Sequence, residues 1–140
     1  MRSRSLHIAI IGAGPGGLCT GKRLLDEGFS DFVLLERAGD VGGTWDRNRY
    51  PGCECDVPSA LYSFSFECKR DWWKPYGTQP EILAYLHDIA DKYGLRPHCR
   101  FGDGVVRAVW DDAASRWALT LDSGNKVEAD VVVSAIGMFN

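Results

Sequence analysis

His7-Ile8-Ala9-Ile10-Ile11-Gly12-Ala13-Gly14-Pro15-Gly16-Gly17 is the stretch that decides the fold, because it joins an apolar run to a glycine-rich turn. Glycines spaced in this way let the chain turn tightly off a strand, bring backbone N–H groups against a pyrophosphate, and seat the next helix close to the sheet. The N-terminus of that helix favours negative charge, since its first N–H groups lack partners and its dipole is positive there. The stretch therefore predicts a turn that binds a dinucleotide.

An acid after the second strand completes this pattern. Phe32-Val33-Leu34-Leu35 is a short continuous apolar run, typical of a parallel strand covered on both faces, and Glu36 follows it directly. A carboxylate at this position accepts hydrogen bonds from the ribose hydroxyls of a nucleotide and repels a 2′-phosphate. We therefore expect the site to bind FAD or NAD rather than NADP.

Composition and charge exclude several other classes of protein. The 140 residues carry a formal net charge of −3, so no surface for nucleic acid is expected. The basic cluster at residues 1–5 lacks the apolar stretch of a signal peptide, and no run is long enough for a membrane span, so we expect a cytoplasmic protein. The five cysteines fit neither a zinc site nor a C-x-x-C redox pair, and neither a metal nor a disulfide is expected.

The periodicity of apolar residues predicts the helices and strands. A helix over about 15–27 should end at Gly28, and a second over about 79–93 should end at Gly94. The second helix should begin with a capping box formed by Thr78 and Glu81. Strands are expected near 98–101, 105–110, 117–121, 126–128 and 131–133, the last of them fully buried.

These elements indicate an α/β fold of the Rossmann-like, FAD/NAD(P)-binding type. We expect three layers: a central, mostly parallel sheet, helices on one side, and a three-stranded β-meander over about 104–129 on the other. Ser134-Ala135-Ile136-Gly137 should then reach the same sheet edge as the first glycine turn. Residues 37–77 form a long segment without helix or strand period, but its many aromatic side chains favour an ordered loop.

This long loop resembles a known family. Its motifs are similar to the flavin-side loop of Baeyer–Villiger monooxygenases and their relatives, the flavin-containing monooxygenases: Gly42-Gly43-Thr44-Trp45, Asn48-Arg49-Tyr50-Pro51-Gly52, Cys55-Asp56-Val57-Pro58-Ser59 and Leu61-Tyr62-Ser63-Phe64-Ser65-Phe66. The resemblance implies FAD as cofactor and NADPH as its reductant. It also implies that O2 reacts with the reduced flavin to a C4a-peroxide, which inserts one oxygen atom into a ketone or a heteroatom substrate.

The resemblance also implies roles for single residues. The pyrophosphate would be held by the turn, Glu36 would hold the adenosine ribose with Arg37 beside it, and the Val105 backbone would hold the adenine edge; the turn residues are Gly12, Gly14, Pro15, Gly16 and Gly17. Ala135 and Gly137 would belong to the same cofactor site. Gly43, Thr44, Trp45, Asp56 and Tyr62 would line the isoalloxazine.

Asp56 is the candidate catalytic residue. In the family, an aspartate at this position lies beside the flavin and helps to place an arginine from the NADPH domain. A buried carboxylate without such a partner is costly, so the protonation of Asp56 should depend on that domain. The alternative is an aspartate that caps the loop before Val57-Pro58.

The expected domain organisation follows from the same resemblance. Residues 1–140 would form the N-terminal part of an FAD-binding domain, with the NADPH domain and the C-terminal FAD segment outside them, so these residues alone should be inactive. Asp46-Arg47 stands where the best-known Baeyer–Villiger members carry two aromatic residues, which leaves ketone and heteroatom oxidation both open. Two alternatives stay open: a flavin-dependent dehydrogenase or reductase, and a truncated, non-catalytic dinucleotide-binding module.

Overall fold

A computed structural model describes residues 6–139, so the basic cluster at 1–5 lies outside the described residues. Each predicted helix and strand is present within one residue of its expected bounds. The elements follow in the order β1 (Ile8–Ile11), α1 (Pro15–Asp26), β2 (Phe32–Leu35), α2 (Thr44–Arg47), β3 (Glu54–Pro58), β4 (Tyr76–Thr78), α3 (Gln79–Lys92), β5 (Cys99–Arg100), β6 (Val105–Asp111), β7 (Arg116–Leu121), β8 (Lys126–Ala129) and β9 (Val131–Ser134).

The central sheet is parallel and has the strand order β5-β2-β1-β9. Ile8 lies level with Phe32 on one side and with Val131 on the other, so β1, β2 and β9 end at one edge. Beyond that edge the Ala135 N–H donates to the Ile11 carbonyl at 2.9 Å. This register places the end of β9 beside the first glycine turn, as the sequence predicted.

Two apolar cores cover the two faces of this sheet. Ile10 and Leu34 lie with the helices α1 and α3 in one core, whereas Ala9 and Leu35, their neighbours along the strands, lie in the other. The second core is closed by Leu119 of the antiparallel meander β6-β7-β8. Because side chains alternate between the faces of a strand, consecutive residues supply both cores. The predicted three-layer fold is thereby confirmed.

Both helix ends behave as predicted, since Gly28 and Gly94 follow α1 and α3 with φ of +80° and +63°. The expected burial of the last strand is wrong. Val131 in β9 is 40% exposed, because β9 is the outermost strand of the sheet within residues 6–139.

The predicted capping box is also wrong. Helix α3 does begin after Thr78, but no side chain caps its first turn. The Glu81 carboxylate instead accepts a hydrogen bond from the Trp73 N–H at 2.9 Å. The reason is tertiary: the loop before the helix folds back over its first turn and supplies a competing donor.

The long segment over 37–77 is ordered, as its aromatic content indicated. It also contains a helix and a strand pair that its sequence did not predict. These are the short helix α2 and the antiparallel pair β3–β4. Tyr85 of α3 fixes the segment, because its hydroxyl accepts from the Phe64 N–H at 2.9 Å and donates to the Glu67 carbonyl at 2.7 Å. The turn from Phe64 to Glu67, which lies between β3 and β4, is thus held by a side chain of the neighbouring helix.

Candidate functional site

A cavity of about 470 Å³ opens at the carboxyl ends of β1 and β2. It brings together residues from the first glycine turn, from the end of β2, from the start of α2, from the start of the meander, and from the chain after β9. The predicted site residues that line it are Gly12, Gly14, Pro15, Gly16, Glu36, Arg37, Gly43, Thr44, Val105, Ala135 and Gly137. The parallel register explains this convergence, since ligands of such sheets bind outside the carboxyl ends of the strands.

The first turn needs glycine for two geometric reasons. A Cβ on Gly12 would lie 2.7 Å from the Ala135 oxygen, and the φ of Gly12 is +103°. A Cβ on Gly17 would lie 2.0 Å from the Gly12 oxygen, which leaves no room for any side chain. The absence of a side chain at Gly17 therefore lets α1 approach the strand.

The N-terminus of α1 faces this cavity. Its first intrahelical hydrogen bond runs from the Leu18 N–H to the Gly14 oxygen at 3.0 Å. The N–H groups of Gly16 and Gly17 precede that bond, and the N–H groups of a first helical turn have no intrahelical acceptor. The cavity thus receives the positive end of the helix dipole and backbone donors, which together favour an anionic group.

Glu36 lies at the end of β2 with its side chain directed to the first turn. One carboxylate oxygen accepts from the Ala13 N–H at 2.7 Å and the other from the Ala38 N–H at 2.8 Å. Glu36 is only 8% exposed, yet it lines the cavity. Each carboxylate oxygen has a second lone pair, so the side chain can hold the turn and still accept hydrogen bonds from a ligand.

A second pair of glycines packs directly on the first turn. The Gly42 N–H donates to the Ala13 oxygen at 3.0 Å. A Cβ on Gly43, whose φ is +56°, would lie 2.8 Å from the Gly14 Cα. The two backbones therefore touch, and α2 starts beside the N-terminus of α1.

This contact brings Arg47 to the cavity, where sequence reasoning had not placed a site residue. Arg47 follows Thr44 by three positions, and residues three apart share one face of a helix. That spacing after a glycine pair is the signal that could have identified it. Gly104 and Ile136 also line the cavity and were not predicted.

Trp45 and Tyr62 lie away from this cavity. The buried Trp45 indole N–H donates to the Tyr62 hydroxyl at 3.0 Å. Tyr62 lines a second, mainly apolar cavity of about 240 Å³, which shares Pro15 with the first. Burial is the main cause that raises the pKa of Tyr62 above its ordinary value.

Asp56 is exposed on β3 and lines neither cavity. Residues of a strand alternate between its faces, and here Cys55 is the buried neighbour while Asp56 points outward. The proposed catalytic role of Asp56 stays a prediction.

The start of the meander is held by a cluster of hydrogen bonds to one carboxylate, that of Asp103. Asp103 is buried, and its oxygens accept from the Ser123 N–H at 2.9 Å, the Ser123 hydroxyl at 2.7 Å and Arg100 at 2.9 Å. These hydrogen bonds hold the pKa of Asp103 below its ordinary value, and the bond from the Ser123 N–H has the largest effect. The cluster fixes Gly104 and Val105 at the mouth of the cavity.

Within residues 6–139, no three His, Cys, Asp or Glu side chains come together as a metal site. The helices of the same range are too short or too polar to cross a membrane. The cytoplasmic location stays a prediction.

Comparison with known proteins agrees with this geometry. Residues 10–88 match the family model of the NAD(P)-binding Rossmann-like domain. The chain is 53% identical over 132 residues to a Baeyer–Villiger monooxygenase of Streptomyces coelicolor, covering 94% of this chain and 25% of that protein. It is 42% identical over 144 residues to the FAD-binding monooxygenase ktnD of Aspergillus niger, covering 95% and 24%.

A solved structure is similar as well. The structure of an oxidized steroid monooxygenase bound to NADP superposes with a TM-score of 0.88 at 41% identity, covering 94% of this chain and 26% of that one. These findings confirm the resemblance that the loop motifs indicated. The chain spans about a quarter of the length of the relatives it matches.

Proposed function

We propose that this chain, which belongs to the family of NAD(P)-binding Rossmann-like domains, is the FAD-binding part of a flavin-dependent, NADPH-using monooxygenase. The observation that carries the proposal is the cavity at the carboxyl edge of the sheet, which side chains do not fill. It presents the N-terminus of α1 and the Glu36 carboxylate to one ligand. Similarity to proteins named Baeyer–Villiger and FAD-binding monooxygenases supports a monooxygenase over a flavin-dependent dehydrogenase or reductase.

The residues present fit FAD. The diphosphate would lie at the N–H groups of α1, where glycines keep the backbone open. The adenosine ribose would bind at Glu36 with Arg37 beside it, and the adenine edge would bind at Val105. Ala135 and Gly137 would close the site from the end of β9.

The isoalloxazine would extend past Gly43 and Thr44 toward the second cavity. Pro15 lies between the two cavities and Tyr62 lines the second, while Trp45 holds the Tyr62 hydroxyl from behind. Asp56, which is exposed on β3, would act where another part of the protein meets the flavin. Its task there, in our proposal, is to position a cationic side chain contributed by another part of the protein.

FAD reduced by NADPH would supply the activation of O2 and the transfer of one oxygen atom to a ketone or heteroatom substrate. This chain contributes the cofactor site. NADPH binding, substrate binding and completion of the FAD site are assigned to parts of the protein outside these 140 residues.

Flavin titration tests the proposal. We expect FAD to bind with a loss of flavin fluorescence, and to bind more tightly than riboflavin, which lacks both the diphosphate and the adenosine. Equal affinity for the two flavins would contradict the cavity assignment. The class of enzyme is tested separately by the codons that follow in the reading frame: a Phe-x-Gly-x-x-x-His-like stretch supports a Baeyer–Villiger type enzyme, and its absence rejects that class.

A further inference from the structure

We propose that Arg47 binds the diphosphate of the cofactor together with the N-terminus of α1. This inference rests on the proposed function and adds a charged residue to it. Arg47 lines the cavity with Thr44, and its side chain is exposed.

The local structure of α2 directs Arg47 to the cavity. α2 is a single turn from Thr44 to Arg47, so these two residues share one face. Trp45 occupies a different face and is buried in the protein core. The direction of Arg47 is therefore fixed by the burial of its neighbour.

The neighbouring acid does not neutralise Arg47. The Asp46 carboxylate accepts from Arg49 at 2.6 Å, and the Arg49 Nε–H donates to the Asp46 carbonyl oxygen at 2.8 Å. Within residues 6–139 the Arg47 guanidinium has no hydrogen bond or ion pair. Its counterpart at the adenosine end, Arg37, lies 3.4 Å from Asp122. Arg47 is thus the lining cation whose charge no described acid balances.

The packing of Gly43 on Gly14 limits how far Arg47 can lie from the N-terminus of α1. The Gly43 backbone touches Gly14 at the first turn, so α2 starts next to the N-terminus of α1. Arg47 lies three residues after Thr44, the first residue of α2, which is about 4.5 Å along the helix axis. An arginine side chain spans this distance, and its planar guanidinium pairs well with phosphate oxygens.

A comparison of ADP with adenosine tests the Arg47 contact by itself, because the two ligands differ only in the diphosphate. We expect Arg47→Gln to weaken ADP binding about tenfold, which corresponds to one charge-assisted contact. Adenosine binding should not change. Arg47→Lys keeps the charge but loses the planar geometry, so it should fall between wild type and Arg47→Gln.

Arg49→Gln is the matched control, since Arg49 lies two residues away and is occupied by Asp46. It should bind ADP as the wild type does. The assignment is overturned if Arg47→Gln binds ADP like the wild type, or if adenosine weakens equally. A wild-type chain that binds ADP no better than adenosine refutes the proposed function as well, so the two failures are distinguishable by isothermal titration.

Discussion

Replacement of Glu36 by alanine tests the central contact of this molecule. The carboxylate holds the first glycine turn through Ala13 and holds the start of the next loop through Ala38. Alanine removes both acceptors at once. The variant should therefore lose stability before any ligand is added, which a residue that only contacts a ribose would not cause.

The size of the loss follows from burial. Ala13 is fully buried, and a buried donor left without a partner costs about 1–3 kcal/mol. Ala38 is half-buried, so water can replace part of its hydrogen bond at a cost of about 0.5–1 kcal/mol. We expect Glu36→Ala to reduce the free energy of unfolding by about 1.5–4 kcal/mol in total. Glu36→Gln keeps one acceptor oxygen and should lose about half as much.

Urea denaturation followed by tryptophan fluorescence measures this difference. A Glu36→Ala variant within about 0.5 kcal/mol of the wild type would refute the reasoning, because surface substitutions without such contacts fall in that range. The ribose contact is judged separately. If it exists, Glu36→Ala weakens ADP binding by about 1.5–3 kcal/mol, and removing the ribose hydroxyls from ADP then has no further effect in the variant.

Three more changes test the surrounding fold. Gly17→Ala should reduce the free energy of unfolding by more than about 3 kcal/mol, because its Cβ would lie 2.0 Å from a backbone oxygen, whereas Gly39→Ala meets nothing within 4 Å and should be neutral. Tyr85→Phe should reduce the free energy of unfolding by about 1–3 kcal/mol, because the Phe64 N–H loses its acceptor. Tyr76→Phe, at an exposed position, serves as control. Asp103 stabilises the fold above pH 3.8, its ordinary pKa, and this contribution is lost as the pH falls through the lower pKa that Asp103 has in the folded protein. The free energy of unfolding of Asp103→Asn should therefore depend less on pH in this acidic range than that of the wild type.

Each of these outcomes can be contradicted by the same denaturation assay. Equal stability of Gly17→Ala and Gly39→Ala would mean that the close approach of α1 to the turn does not exist. A Tyr85→Phe variant as stable as Tyr76→Phe would remove the proposed anchor of the long loop. If Asp103→Asn loses stability at acidic pH as the wild type does, Asp103 is not the group whose protonation causes that loss.

The sequence by itself determined the fold and most of the cavity lining. Glycine spacing, apolar runs and the acid after β2 are local signals, and each acts through constraints on a few neighbouring residues. Parallel pairing then forces the carboxyl ends of β1, β2 and β9 to one edge, so Glu36 and Ala135 meet the turn without further information. The loop motifs added the family resemblance.

Tertiary structure alone decided which polar groups meet across long separations. Glu81 is drawn from its cap by the Trp73 N–H, Asp56 is turned outward on β3, and Arg47 reaches the cavity because Gly43 packs on Gly14. The period of a segment alone does not decide these outcomes, because each also depends on where a distant backbone comes to lie. Local sequence patterns predict the helices and strands, but the packing of the whole chain decides which donor each polar side chain binds.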